Sequence, residues 1–361
     1  MKQAYQIGKL FGIPIKVHIT FIFLLFFIGL MINKIAGDVN PFYGMFVIIL
    51  IFFCVVLHEV SHSLVAKHFG INVRDIILLP IGGVAQIEEI PEDPKEEILI
   101  AIAGPLLSLF LAGIFLIVSI LIYGKTKLDI NTFSKYIFNK NIFMSLFSIN
   151  LVLGIFNILP AFPMDGGRVL RGVLALFLNH LTATKIAVGI GQAFAIFFIF
   201  FGMFFNWWLI LIGFFIYLGA ANEEKMAEIR ASVQGIPVSR AMLTNFATLS
   251  PNQTMRDVVD RVIHTFQDSF PVIEENKVIG ILTKSNLFKA IREHSIDSPI
   301  ANFIEKDFIK IHPDMPMNSL LKNIMETNVP IILVMENDNL KGIINLEQIG
   351  KFHLLKNIMR K

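Results

Sequence analysis

The run Val55-Val56-Leu57-His58-Glu59-Val60-Ser61-His62 sets three ionisable side chains at the end of a long apolar stretch. Such groups are costly in hydrocarbon and need a reason to be there. On a helix, His58 and His62 stand one turn apart on the same face. Two neutral imidazoles at that spacing can share one Zn²⁺ ion. Glu59 beside them is poised to take a proton from a water at the metal. The alternative is a half-buried polar turn where a membrane helix meets water. A zinc site needs a third ligand.

The elements around this run decide where that ligand can come from. The chain has 361 residues, 55% hydrophobic and only 16% charged, with mean hydropathy +0.67. That is too apolar for an ordinary soluble protein. The long uncharged runs are confined to residues 1–220, and 223–361 has the composition of a soluble domain. The pattern predicts an integral membrane part followed by a soluble part. The 35 Phe residues suit lipid-facing surfaces. A net charge of +3 supports no nucleic-acid partner. Cys54 is the single cysteine, so no intrachain disulfide forms. One turn before His58, it reads as a small core residue.

Six segments are long or apolar enough to cross a bilayer: about 17–33, 42–66, 98–123, 141–160, 184–205 and 207–221. The first follows Lys2, Lys9 and Lys16, lacks a small-residue cleavage site, and reads as a retained helix. An even number of crossings puts both termini on one side. Lys2, Lys9, Lys16, Lys67, Arg74, Lys95, Arg168, Arg171, Lys185, Lys225 and Arg230 gather near one set of ends. Lys34, Lys125, Lys127, Lys135 and Lys140 gather near the other. The bias predicts a multi-pass protein of the cell membrane with both termini and the soluble part in the cytoplasm.

Between the second and third segments, 71–91 is not helical in pattern. Ile-Ile-Leu-Leu at 76–79, Pro80, Gly82-Gly83 and Val-Ala-Gln-Ile at 84–87 read as strand, turn and strand. Such a hairpin beside a buried site offers an edge to an extended peptide. A plain loop is the alternative. The fourth segment ends at Pro160 and Pro163, and Asp165 follows, flanked by Gly166 and Gly167. This segment runs in the same direction as the one bearing His62, so Asp165 reaches a similar depth. It is the natural third ligand, and a helix N-cap is its alternative role. Ser108 and Ser119 are expected to hydrogen-bond within their own helix.

Past a charged stretch at 223–235, a linker or short helix, an internal repeat appears with a period of about sixty residues. Leu249-Ser250-Pro251 parallels Ile311-His312-Pro313, and Phe270-Pro271-Val272-Ile273 parallels Pro330-Ile331-Ile332-Leu333. Each copy reads as helix, strand, tight polar turn, strand, helix. One copy buries little core alone, so the two are expected to pack as a unit. The expected domains are 1–222 in the membrane, 223–235 as linker, and repeats at 236–295 and 296–361.

Residues 1–220 resemble the site-2 proteases, the intramembrane zinc metalloproteases. The likeness rests on His58-Glu59-Val60-Ser61-His62, Pro80-Ile81-Gly82-Gly83-Val84, Ala103-Gly104-Pro105, and Asn157 through Asp165-Gly166-Gly167. It implies one Zn²⁺ held by His58, His62 and Asp165, with Glu59 as catalytic base and Asn157 stabilising the reaction's oxyanion. It also implies about six transmembrane helices with a membrane-associated β-hairpin that receives the substrate, a single-pass membrane protein, in regulated intramembrane proteolysis. The repeat is similar to a pair of cystathionine-β-synthase (CBS) domains, a soluble α/β module. That likeness implies a regulatory or substrate-gating role, with an adenine nucleotide or CBS-mediated homodimerisation as alternatives. The family's acidic ribose-binding position holds Asn286 in one copy and Gln348 in the other. A transporter or channel bearing CBS domains would instead spread polar residues over several helices along a pore. Here they converge on one site.

Overall fold

The computed structural model describes residues 4–36, 40–80, 82–87, 91, 93–124, 141–265, 267–320 and 329–359. The chain forms two compact units, Met1–Ala227 and Glu228–Lys361. The basic stretch at 125–140 and the helix expected near the start of the second repeat's core, at 321–328, lie outside the described residues.

The first unit opens with two strands, β1 (Ala4–Leu10) and β2 (Ile13–His18), paired antiparallel. Only Phe11 and Gly12 separate them, both at positive φ (50° and 77°). That is the backbone a two-residue hairpin turn demands. The sequence reading assigned no strand here and began the first apolar segment near residue 17; Phe-Gly lacks the usual Asn-Gly or Asp-Gly signal. Helix α1 (Ile19–Ala36) follows, then α2 (Pro41–His68). Strands β3 (Val73–Leu79) and β4 (Gly82–Ile87) form the antiparallel pair expected at 71–91. They join the N-terminal hairpin in one four-stranded sheet of order β1-β2-β3-β4, with β2 and β3 parallel.

Next come α3 (Pro94–Tyr123), α4 (Ile142–Ile158), α5 (Asp165–Ala175), α6 (His180–Phe204) and α7 (Trp207–Val233). Several helices start where a polar side chain accepts an orphan backbone N–H. Asn40 caps α2, Asp93 caps α3, Asn141 caps α4 and Asn179 caps α6. Among the described residues, three helices are long and apolar enough to cross a membrane: Phe42–His68, Pro94–Tyr123 and His180–Phe204. The charged stretch read as a linker or short helix is helical up to Val233, the end of α7.

Helix α2 is the centre of this unit. Its Val56 and Val60 pack on Ile13, Ile15, Ile76 and Leu78 of the sheet. His58 and His62 lie two residues on, about 200° around the helix, and so face away from the sheet. Beyond the histidines, α3 and α5 are tied by charge. Arg171 of α5, buried to 2% exposure, meets Glu97 of α3, which is 4% exposed. Its Nε donates to Glu97 Oε1 at 2.7 Å and its Nη1 to Glu223 Oε1 of α7 at 2.7 Å. Its guanidinium also lies 5.0 Å from the Phe162 ring centroid.

The second unit holds the repeat. Helix α8 (Met255–His264), strands β5 (Ser269–Glu274) and β6 (Lys277–Thr283), and helix α9 (Lys284–Glu293) make the first copy. Strands β7 (Lys310–Ile311), β8 (Ile332–Glu336) and β9 (Asn339–Ile344) and helix α10 (Leu346–Met359) belong to the second. Both hairpins turn through two left-handed residues, Glu275-Asn276 and Asn337-Asp338, which is the tight polar turn expected of each copy. Ile281 of the first copy packs with Ile331, Leu333 and Ile343 of the second, joining the two cores.

Removing the Arg171 guanidinium would leave the Glu97 carboxylate buried without its cation, and broken buried pairs cost about 3–5 kcal/mol. Arg171→Ala is therefore expected to lower the thermal midpoint of the purified protein sharply. Removing only the outer partner, Glu223→Gln, should lower it far less. Equal midpoints for wild type and Arg171→Ala would refute the tie.

Candidate metal centre

The histidine pair owes its geometry to α2 and its protonation pattern to α3. His58 and His62 are 3% and 6% exposed. His62 Nδ1 lies 2.6 Å from the carbonyl oxygen of Ile100. A carbonyl only accepts, so Nδ1 carries the proton and the Nε2 lone pair of the neutral ring is free. His58 Nδ1 lies 2.9 Å from Ser108 Oγ, a side chain with no solvent exposure. With the hydroxyl accepting, His58 takes the same tautomer. Ser108 thus bonds across to α2, not within its own helix as expected, and Ser119 likewise accepts from Asn141 Nδ2 at 2.8 Å. Each finds a partner on a neighbouring element that removes a buried polar atom from hydrocarbon more completely than a carbonyl already used by its helix.

Pro105 lies in the same stretch of α3. It lacks the N–H that would close the turn onto Ala101, and its ring tends to open the helix there. The carbonyls of Ile100 and Ala103 in that turn receive His62 Nδ1 and Ser61 Oγ, the latter at 3.0 Å. Gly104 completes the fit. A Cβ there would overlap His62 Nε2 and stand 2.7 Å from His58 Nε2.

Asp165 arrives from the far side. It is the first residue of α5, and the N-cap position belongs to Met164, which makes no side-chain cap. The Asp165 carboxylate turns instead to the imidazoles. Its Oδ2 is 3.2 Å from His58 Nε2 and 3.1 Å from His62 Nε2. Gly166 and Gly167 let α5 start hard against the end of α4. A Cβ on Gly167 would come 2.6 Å from Phe162 N, and one on Gly166 would overlap the carbonyls of Ile158 and Leu159.

His58, His62 and Asp165 form a group able to hold a metal ion. Their atoms fit zinc by their chemistry: two Nε2 lone pairs, 3.2 Å apart, and one carboxylate oxygen converge. All three are acceptors once both Nδ1 protons are spent, so a cation between them removes their mutual repulsion. Glu59 is half-buried beside them, and its Oε2 accepts from the Ala85 N–H of β4 at 3.2 Å. Asn157 stands half-buried on the last turn of α4, ahead of the 159–164 connection into Asp165. Sequence reasoning missed Ser108, the Ile100 carbonyl and Ala85.

This arrangement can be set beside known proteins. Residues 46–201 match Peptidase family M50, and residues 238–293 and 300–352 match the CBS domain. A zinc metalloprotease of Methanocaldococcus jannaschii is 35% identical over 347 residues, covering 96% of this chain and 94% of its own. The chain belongs to peptidase family M50, the site-2 protease family. A second relative, from Synechocystis sp., whose name proposes a zinc metalloprotease, is 29% identical over 80% of this chain and 78% of its own. The solved Site-2 Protease from Methanocaldococcus jannaschii is 40% identical, covers 61% of this chain and 95% of its own, and superposes with a TM-score of 0.45. This M50 member is thus a metalloprotease with a membrane part and a CBS pair.

Partners that orient a zinc-bound histidine are worth roughly 10–100-fold in metal affinity. Ser108→Ala is expected to weaken zinc binding within that range in a competition titration with a chelating dye. Gly104→Ala, which fills the space at both Nε2 atoms, should abolish binding. Wild-type affinity in Gly104→Ala would show that the metal sits elsewhere.

Proposed function

We propose that this M50 member cleaves peptide bonds of single-pass membrane proteins inside the bilayer, with His58, His62 and Asp165 as zinc ligands and Glu59 as the base. The observation that carries the reading is the convergence of His58 Nε2, His62 Nε2 and Asp165 Oδ2 within 3.2 Å, beside Glu59. Zinc at these atoms supplies Lewis-acid polarisation and acidifies water. Glu59 takes one proton from the attacking water as its oxygen bonds to the scissile carbonyl carbon. The same carboxylate returns that proton to the amide nitrogen as the C–N bond breaks, leaving an amine and a carboxylic acid that then gives up its own proton. The Asn157 amide donates to the developing oxyanion, a contribution of about 3 kcal/mol for a donor of this type.

The substrate helix must unwind to expose its peptide bond, and backbone groups left unpaired in lipid are costly. Strand β4 is last in its sheet, so an extended peptide added along its outer edge would regain hydrogen bonds. Six crossings, formed by α1, α2, α3, α4, α6 and α7, with both termini in the cytoplasm of a multi-pass cell-membrane protein, agree with the Lys and Arg bias. On this reading the membrane domain is 1–222, with the linker at 223–235 and CBS repeats at 236–295 and 296–361.

The CBS pair is the regulatory or gating module. A cleft of about 180 Å³ between its two copies is lined by Asp268, Ser269, Asn345, Glu347 and Gln348. The related position in the other copy, Asn286, is engaged by Glu305, its Nδ2 donating to Oε1 at 2.9 Å. We assign an adenine nucleotide to this cleft, and dimerisation is the alternative use of the pair.

Glu59→Gln should retain zinc and lose cleavage of a reconstituted membrane substrate by several orders of magnitude, whereas His62→Ala and Asp165→Asn should lose both. Normal cleavage by Glu59→Gln would sink the assignment. For the CBS pair, calorimetry with ATP and with AMP is expected to give about one site per chain. Two equal sites, or none, would overturn the single-cleft reading.

A further inference from the structure

Glu59 is carried by α2, yet its carboxylate is held by the sheet. The Ala85 N–H of β4 donates to Glu59 Oε2 at 3.2 Å. Among the described residues, this is the hydrogen bond the carboxylate receives. Ala85 stands opposite Ile76 in the β3–β4 ladder. In an antiparallel pair, successive residues turn their N–H groups alternately toward the partner strand and away from it. The N–H that reaches Glu59 is turned away from β3, so it belongs to the outer edge of β4.

A second contact lies two residues back. A Cβ on Gly83 would come 2.7 Å from Glu59 Cγ and 3.2 Å from Val55 Cγ1. Strand β4 therefore meets Glu59 twice, along the stem at Gly83 and at the charged end at Ala85. A glutamate has three side-chain torsions, and a general base acts only when its oxygen is held within hydrogen-bond reach of the proton it takes. The histidines are aimed by α3, and nothing in those contacts fixes Glu59.

We propose that Ala85 is a positioning residue for Glu59, its backbone amide aiming the carboxylate at the space before His58, His62 and Asp165. This rests on the reading of Glu59 as the base. It also divides the work of β4. The Ala85 N–H is spent on Glu59, so an extended peptide on the outer edge pairs through the other residues of the same register, Gly83 and Ile87. Removing the Ala85 N–H then harms the chemical step and leaves peptide capture intact.

The test replaces Ala85 by lactic acid, which keeps the methyl group and turns the amide into an ester without an N–H. Ala85→Ser, which keeps the N–H, is the conservative control, and Gly83→Ala crowds the Glu59 stem independently. Full-length proteins in liposomes are assayed on a membrane-spanning reporter peptide, with kcat and KM measured separately and zinc content determined on the same samples. A hydrogen bond to a charged group is worth about a tenfold to hundredfold effect. The ester variant is expected to lose that much kcat, with KM within twofold of wild type and full zinc content. Gly83→Ala should follow it, and Ala85→Ser should match wild type. A raised KM at unchanged kcat would give the amide to the peptide and overturn the assignment. Unchanged kinetics, or lost zinc in the ester variant, would overturn it as well. A wild type that holds zinc and cuts nothing would instead overturn the proteolytic reading, and this assignment with it.

Discussion

Two imidazoles buried in an apolar helix must each dispose of one N–H, and where that proton goes decides what the other nitrogen can do. In this molecule both Nδ1 atoms face α3, one toward the Ile100 carbonyl and one toward Ser108. Both Nε2 atoms are thereby left as lone pairs pointing at Asp165. The rest of the first unit serves this disposition. Gly104 makes room for the rings, and the glycines after Asp165 let α5 begin where its carboxylate can arrive. The buried Glu97–Arg171 pair locks the two helices that supply these partners. None of these parts is itself a strong stabiliser, since a buried ion pair roughly offsets its own desolvation. Their joint effect is to leave a small cluster of acceptors that a cation completes.

Much of this was legible in the order of residues, and the reason is periodicity. His58 and His62 share a helix face because four residues make about one turn, so one short run was enough to suggest the chemistry. Asp165 lies 107 residues from His58, and the structure brings its carboxylate within 3.2 Å of both Nε2 atoms; in the sequence the only route to it was to count crossings. Ser108 and Ala85 escaped for the opposite reason. Their partners are 50 and 26 residues away on other elements, and no local pattern encodes which face of α3 or which edge of β4 turns inward. Likewise, the Arg171, Glu97 and Glu223 triad joins three helices that read, one at a time, as ordinary charged ends.

The second unit was the easier reading, because a repeat announces itself twice. The two hairpins share left-handed polar turns, and the packing of Ile281 with Ile331, Leu333 and Ile343 follows from the small core one copy can bury. The N-terminal hairpin was the harder one. Strand β1 exposes most of its residues, with Tyr5 at 63% and Ile7 at 66%. Its sequence therefore lacks the alternation between buried and exposed positions that marks a half-buried strand.

The division of labour between α2 and α3 also bears on how the centre comes into being. A chain grows from its N-terminus and its early parts can associate before later ones exist. Helices α2 and α3 are both complete before α4 and α5 have been made. The contacts to Ser108 and Ile100 need only those first two helices, so the tautomers of both histidines can be set during synthesis. Asp165 then meets a pair of rings already turned the right way, and assembly of the centre ends with a single carboxylate.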